Sequence, residues 1–337
     1  MKPIKLLLWL LALCFSLTNA AYASEKYPAA VGKDGWLFYE NEYNPLIEQR
    51  GVDTSIKLIG EFSQMLQSKG IRLVVTLVPV KARLYSEHLP DSVKWSKDQD
   101  SRYAQWAEKF KSAGVNFVDL NSAFMNSPLR NSETPLYYRL DTHWSPTGVE
   151  LAAKTVTAAL QGQAETAKLI NESQAMAFKR TQGNKLRVFR ARDMLSILPP
   201  EEAQKEFPFE KFYPVTHQRP PSDAQLTGAS AAPSIALVGS SYSMTWTGFA
   251  DDLRAFLQRD LVNVSIPANQ GQWYGIESYL KDEAFQASPP KILIWEMPER
   301  DLYATPNFEF REARYRSTDS DWLRKVSASI AKAKSLK

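Results

Sequence analysis

The chain has one cysteine among 337 residues, Cys14, and it lies inside an apolar N-terminal run. Once that run is removed no thiol remains, which excludes disulfides, thiolate catalysis and cysteine-ligated metal. Histidine is nearly as scarce: there are three, His88, His143 and His217, so any imidazole chemistry must use one of them. No Gly-x-Gly-x-x-Gly and no Gly-x-x-x-x-Gly-Lys occurs, so nucleotide and coenzyme cradles are absent and neither cofactor nor metal is expected. There is no repeat of fixed period and no low-complexity tract. Charge of one sign is also lacking, with 41 Lys and Arg against 37 Asp and Glu. The net charge falls from +4 to +2 on loss of Lys2 and Lys5, since residues 1–23 hold no acid, and nucleic-acid binding is not indicated.

The N-terminus is a secretory signal in pattern. Met1-Lys-Pro-Ile-Lys5 is basic, Leu6 to Leu17 is apolar, and Ala21-Tyr-Ala23 is a small-x-small cleavage site, so residues 1–23 are expected to be a signal peptide and the product periplasmic. The apolar run is shorter than the roughly 20 residues that span a bilayer. A retained inner-membrane anchor is the alternative. Leu13 stands where a lipoprotein box needs a small residue, which argues against lipidation of Cys14.

Residues 24–337 slightly exceed the usual single-core limit of about 250–300 residues, so one large domain carrying an insertion is expected. Val52 to Lys69, Gln99 to Ser112 and the segment after Ser145 read as helices. Ile71 to Pro79, Val115 to Leu120, Ile235 to Val238, Val262 to Ile266 and Ile292 to Trp295 read as strands. Alternation of this kind predicts an α/β fold, a doubly wound parallel sheet with helices on both faces. The exception is the polar, proline-bearing stretch of about 161–232, an inserted irregular segment. It opens with Lys179, Arg180, Lys185, Arg187, Arg190 and Arg192, which form either a solvated face or a basic wall for an anionic polysaccharide.

Two segments carry candidate chemistry. Ser234-Ile-Ala-Leu-Val-Gly-Ser-Ser-Tyr-Ser243 ends an apolar strand at a turn bearing Ser240, Ser241 and Ser243, where converging main-chain N–H groups can hold an oxyanion. Tyr138-Arg-Leu-Asp-Thr-His-Trp-Ser-Pro-Thr-Gly148 sets Asp141 two residues before His143, just ahead of a helix capped by Ser145 and started by Pro146. Asp141 either orients the imidazole as a base for a serine or merely caps a turn.

Together these segments resemble the alginate O-acetyltransferases of the AlgJ and AlgX type, whose catalytic domain is SGNH-hydrolase-like. The family's Asp-x-His-Trp motif is matched by Asp141-Thr-His-Trp144 and its Gly-x-Ser-Tyr-Ser motif by Gly239-Ser-Ser-Tyr-Ser243. Gly35-Trp-Leu-Phe38, Gly271-Gln-Trp-Tyr-Gly-Ile-Glu-Ser-Tyr279 and Ile294-Trp-Glu-Met-Pro-Glu-Arg-Asp-Leu302 are also similar. Ordinary SGNH esterases carry the serine first, and here Asp and His precede it. The chain ends soon after Arg324, leaving no room for the carbohydrate-binding domain of the AlgX type, so the AlgJ-like arrangement is the closer match.

The resemblance implies a catalytic set of Ser241, His143 and Asp141, an acetyl-serine intermediate and a polysaccharide acceptor such as alginate. It also implies a membrane-bound acyltransferase as acetyl donor and an exopolysaccharide export machinery as partner. The candidate substrate-binding residues are Trp144, Tyr242, Trp246, Gln272, Trp273, Tyr274 and Arg300, the aromatics serving as sugar platforms or as packing. Glu296 and Arg300 are expected to form an ion pair at the carboxyl edge of the sheet or to act directly. The Ser241 N–H is one oxyanion donor, with the amides of Asn269, Gln270 and Gln272 as others. An acetylesterase or a non-catalytic polysaccharide-binding scaffold is the alternative, and cellulose or another neutral glycan is the alternative acceptor.

Overall fold

A computed structural model describes residues 28–43, 49–219, 232–309 and 311–336. The expected signal peptide and Pro220-Pro221 lie outside the described residues. The strands β1 (Arg72–Val78), β2 (Asn116–Val118), β3 (Ile235–Gly239), β4 (Val262–Ser265) and β5 (Ile292–Pro298) form one all-parallel sheet in the order β4-β3-β5-β1-β2. Both long strands, β1 and β5, are almost entirely buried, which is why they read as continuous apolar runs.

The strand period of two divides the interior into two cores. Val74, Val78, Ile235, Leu237, Ile292 and Ile294 point to one face, where they meet α3 (Pro146–Gly162) and α5 (Phe249–Leu257). Leu73, Val75, Leu77, Ala236, Val238, Leu293 and Trp295 point to the other. There they meet α1 (Gln49–Ser68), α2 (Lys97–Ser112), α6 (Gln272–Lys281) and α7 (Asp319–Lys332). The doubly wound α/β expectation therefore holds.

The strand order becomes 2-1-3-4-5 when counting starts at β3 and runs past the C-terminus to β1, which is the flavodoxin-like order with the cycle opened between its third and fourth strands. The Asp-His segment then follows the fifth strand and the serine the first, which accounts for the inverted order of the motifs. The switch point lies where β3 is flanked by β4 and β5, at their carboxyl ends.

Several expected boundaries shift, β5 running three residues past Trp295 to Pro298. Val115 to Leu120 shortens to β2 because Asp119 accepts from Ser122 N–H at 2.9 Å and caps a helix over Leu120–Met125. The stretch 161–232 is also less irregular than expected. It opens with α4 (Ala164–Glu172), whose Ile170 still belongs to the first core. Two antiparallel ribbons follow, Lys179–Gln182 with Val215–Gln218 and Arg187–Phe189 with Glu210–Phe212. Phe189 stacks on Tyr138 at 3.6 Å, so this excursion is fastened to the segment that carries Asp141 and His143.

Candidate active site

The serine turn grows directly out of β3. A Cβ on Gly239 would collide with the Ser243 hydroxyl and with Glu296 Oε2, so no other residue fits between strand and turn. Glu296, fully buried on β5, accepts from Ser240 N–H (2.8 Å), Ser240 Oγ (2.8 Å) and Ser243 Oγ (2.7 Å). Burial pushes its carboxyl above the usual range, against the opposing pull of those serine hydrogen bonds. Ser240 and Ser243 are thereby committed to the carboxylate. Ser241 alone of the three faces the histidine, with Oγ 2.9 Å from His143 Nε2.

The histidine is held by a tight loop. Ser145 N–H donates to Leu136 O (2.9 Å), Tyr138 N–H to His143 O (3.2 Å), and the Ser145 side chain caps α3 as the sequence predicts. Inside the loop Asp141 Oδ1 lies 2.7 Å from His143 Nδ1 and accepts the His143 main-chain N–H at 3.0 Å. Burial alone would raise the Asp141 carboxyl, but the hydrogen bonds from His143 and from Asp193 N–H outweigh it and hold the group below the ordinary range. The chain Asp141, His143, Ser241 thus has the spacing of a relay that can take a proton from a hydroxyl.

Three supporting residues carried no signal in the sequence. Asp193, from the excursion, accepts from Thr142 N–H (2.7 Å) and Thr142 Oγ1 (2.5 Å), and its Oδ2 stands 3.6 Å from His143 Nδ1. Its spacing from the Asp-x-His motif announces nothing. Lys81, buried after β1, donates to the carbonyls of Tyr138 (3.3 Å), Arg139 (3.4 Å) and Asp141 (3.0 Å). Burial lowers its pKa, and Glu42 foremost among nearby acids counters this. Glu42 in turn is the partner of Arg300. Asp141, His143 and Asp193 place ligand-type atoms within 4.8 Å of one another. Both ring nitrogens already have partners, Asp141 and Ser241, so this donor set suits proton transfer better than cation binding.

Several expected substrate contacts turn out to be packing. Trp144 is buried between Tyr242 (5.3 Å) and Phe249 (4.9 Å). Trp273 is enclosed by Trp295 and Trp322, and its N–H donates to Ala304 O at 2.6 Å, so neither ring face is open to a sugar. Gln272 donates its side-chain amide to Asp301 O (3.1 Å), and Tyr274 packs on Tyr315. The Gln270 N–H is engaged by Pro267 O, and the Asn269 side-chain amide donates to Glu312 Oε1 at 2.8 Å, which removes these two donors from the oxyanion candidates. The expected Glu296–Arg300 pair does not form. Arg300 binds Glu42 (2.9 Å) and the Tyr242 hydroxyl (2.9 Å), which donates to Thr142 O (2.6 Å), because Glu296 is taken by the serines. Trp246 is the aromatic that stays open, half-exposed and edge-on to His143 at 4.9 Å. Within the basic cluster Arg180 pairs with Glu150 and Asp252, whereas Arg190 and Arg192 both lie over Phe209, at 5.9 and 4.0 Å.

Residues 29–299 match the family described as SGNH hydrolase-like domain, acetyltransferase AlgX. The chain is 33% identical over 335 residues to a probable alginate O-acetylase AlgJ of Pseudomonas fluorescens, covering 95% of this chain and 78% of that protein. It is 30% identical over 308 residues to the Pseudomonas aeruginosa protein of the same name, covering 89% and 75%. Its fold is similar to that of the O-acetyltransferase domain of Pseudomonas putida AlgJ, with a TM-score of 0.72, 24% identity, and coverage of 90% of this chain and 99% of that one. The chain belongs to the AlgX family of SGNH hydrolase-like acetyltransferases and is an enzyme of O-acetyl transfer.

Proposed function

We propose that this protein acetylates hydroxyl groups of an exported polysaccharide, alginate or a related glycan, through an acetyl-serine intermediate. The observation that carries the reading is the continuous hydrogen-bond chain from Asp141 through His143 to Ser241 at 2.7 and 2.9 Å. His143 Nε2 takes the hydroxyl proton as Ser241 Oγ attacks the donor's acetyl carbonyl. The tetrahedral oxyanion collapses, the donor's leaving oxygen departs with the proton returned by His143, and acetyl remains on Ser241. A sugar hydroxyl then repeats the sequence in reverse. Its proton goes to His143, its oxygen attacks the acetyl-serine carbonyl, and the Ser241 oxygen leaves and is reprotonated. Asp141 and Asp193 stabilise the imidazolium in both steps. The Ser241 main-chain N–H, at the carboxyl end of β3, is the nearest candidate for the oxyanion.

The pattern of residues 1–23 supports a periplasmic site of action. A membrane-bound acyltransferase supplying the acetyl group and an export machinery supplying the glycan fit that compartment, where cytoplasmic acetyl donors are out of reach. Among the described residues no helix is long and apolar enough to cross a membrane. The test is acetyl transfer from an activated acetyl ester to an oligosaccharide. Transfer that vanishes in Ser241→Ala is the expected result. Hydrolysis that no oligosaccharide diverts would make the protein an acetylesterase instead.

A further inference from the structure

Beside the triad lies a cavity of about 210 Å³ that shares Trp246 with it. Its walls come from two sources. The body supplies Tyr138 and Trp246, and the excursion supplies Phe189, Phe212 and His217. The volume lies below the range of about 300–1,000 Å³ typical for drug-sized ligands, which leaves room for one ring. Tyr138 and Phe189, stacked with 2° between their planes, form a flat wall. Trp246 is the one tryptophan left exposed among the described residues, at 53%. A large indole kept open beside a reactive histidine has the amphipathic character that binds the apolar face of a pyranose.

The polar lining is equally specific. His217 Nε2 lies 2.5 Å from Asp252 Oδ1, and Asp252 is almost fully buried and also accepts from Arg180 Nε at 2.9 Å. That buried carboxylate fixes Nε2 as the donor and leaves Nδ1 for a ligand hydroxyl. The second acid in the lining, Asp251, is held by Arg254 at 2.6 Å. No lysine or arginine lines the cavity among the described residues. A uronate carboxylate seated there would meet two acidic side chains, while the nearby cations Arg180, Arg219 and Arg254 already stand against those same acids, and desolvating an unpaired charge is costly. Arg180 cannot serve, since it sits behind Asp252 and also pairs with Glu150.

We propose that this cavity is a subsite for one uncharged pyranose ring of the acceptor glycan, next to the ring that receives the acetyl group. Trp246 is the platform and His217 the hydroxyl-binding group. The proposal rests on the polysaccharide-acceptor reading above and narrows it from alginate, whose rings all carry carboxylates, to a glycan with uncharged rings; it also gives the excursion a task, since without Phe189, Phe212 and His217 the cavity has no outer wall.

Binding is measured on the Ser241→Ala protein, which holds acceptor without turnover, by titrating cellohexaose and hexamannuronate and following tryptophan emission. Cellohexaose should bind saturably and shift the emission of Trp246, and hexamannuronate should bind at least about tenfold more weakly across salt concentrations. Trp246→Ala should weaken cellohexaose binding about fivefold and abolish the emission change. His217→Gln, which can still donate to Asp252, should weaken it about threefold, with unchanged melting temperature as the check on folding. Three results would each overturn the subsite: hexamannuronate binding as tight as cellohexaose, no cellohexaose binding, or both variants binding like the parent. Acetyl-ester turnover by the enzyme with Ser241 intact is read separately. If it depends on Ser241 while the binding predictions fail, the subsite falls and acyl transfer stands; if it ignores Ser241, acyl transfer falls whatever the binding shows.

Discussion

Two tryptophan-bearing segments look alike in the sequence and differ in the structure. Asp141-Thr-His-Trp144 and Gly271-Gln-Trp-Tyr274 both lie within the stretch that matches the family, and both were candidates for the substrate cleft. In the first, polar side chains are aimed at one another across the loop and at Ser241, and Trp144 is the packing behind them. In the second, the polar groups of Gln272 and Trp273 are turned to main-chain carbonyls, and the indole completes a cluster with Trp295 and Trp322. A shared motif marks a place where side chains are constrained. Whether the constraint is chemistry or packing depends on whether a titratable group in the motif is aimed at a reactive side chain, as His143 Nε2 is aimed at Ser241, or at main-chain carbonyls.

The largest effect should come from the first segment. Alanine at Ser241, His143 or Asp141 should each lower acetyl transfer by about 10⁴-fold or more, and double variants should fall little further, because the three act as one unit. Steady-state rates of single and double variants check this; additive losses would break the relay. In the second segment Trp273→Ala should instead destabilise the fold by about 3–5 kcal/mol, read by denaturant melts, while the rate constant per folded molecule stays within about twofold. A large rate loss without destabilisation would move Trp273 back into the site.

Smaller effects sharpen the contrast. Asp193→Asn keeps the bond to Thr142 and removes a charge 3.6 Å from His143 Nδ1. It should cost about tenfold in turnover at an unchanged melting temperature, because the imidazolium formed in each step loses a stabilising neighbour. Unchanged turnover would make Asp193 purely structural. Asp141 and Glu296 should also give opposite stability signatures. Asp141 is depressed below 3.8, so its contribution is in place above that value and is lost as pH falls through the folded pKa. Glu296 is raised above 4.5, so its contribution is full below that value and is lost as pH rises through the folded pKa. The stability gap between native protein and Asp141→Asn should therefore widen with rising pH and that for Glu296→Gln should narrow, with thermal melts across the acid range as the check.

What was legible followed from short-range pattern. The buried strands announced themselves because parallel strands covered on both faces are apolar throughout. Ser145 and Pro146 announced α3 because capping needs neighbours two and three residues away. Ser241 and His143 were legible through their motifs, although their pairing spans 98 residues. Asp193, Lys81 and the Glu296 cradle were not, since each reaches the site from a distant element and the sequence records no partner. Arg300 shows the same limit: its proximity to Glu296 along the chain suggested a pair, and the strand geometry gave it to Glu42 instead.

The central claim, that Ser241 carries the acetyl group, is tested most directly by stopping the reaction within its first turnover with an acetyl-ester donor and locating the modification by peptide mass spectrometry. The account predicts one added acetyl group on Ser241 in the native enzyme, discharged on addition of oligosaccharide, and none in His143→Ala. Acetyl on Ser240, Ser243 or another residue, or full transfer with no acetylated protein formed, would contradict it.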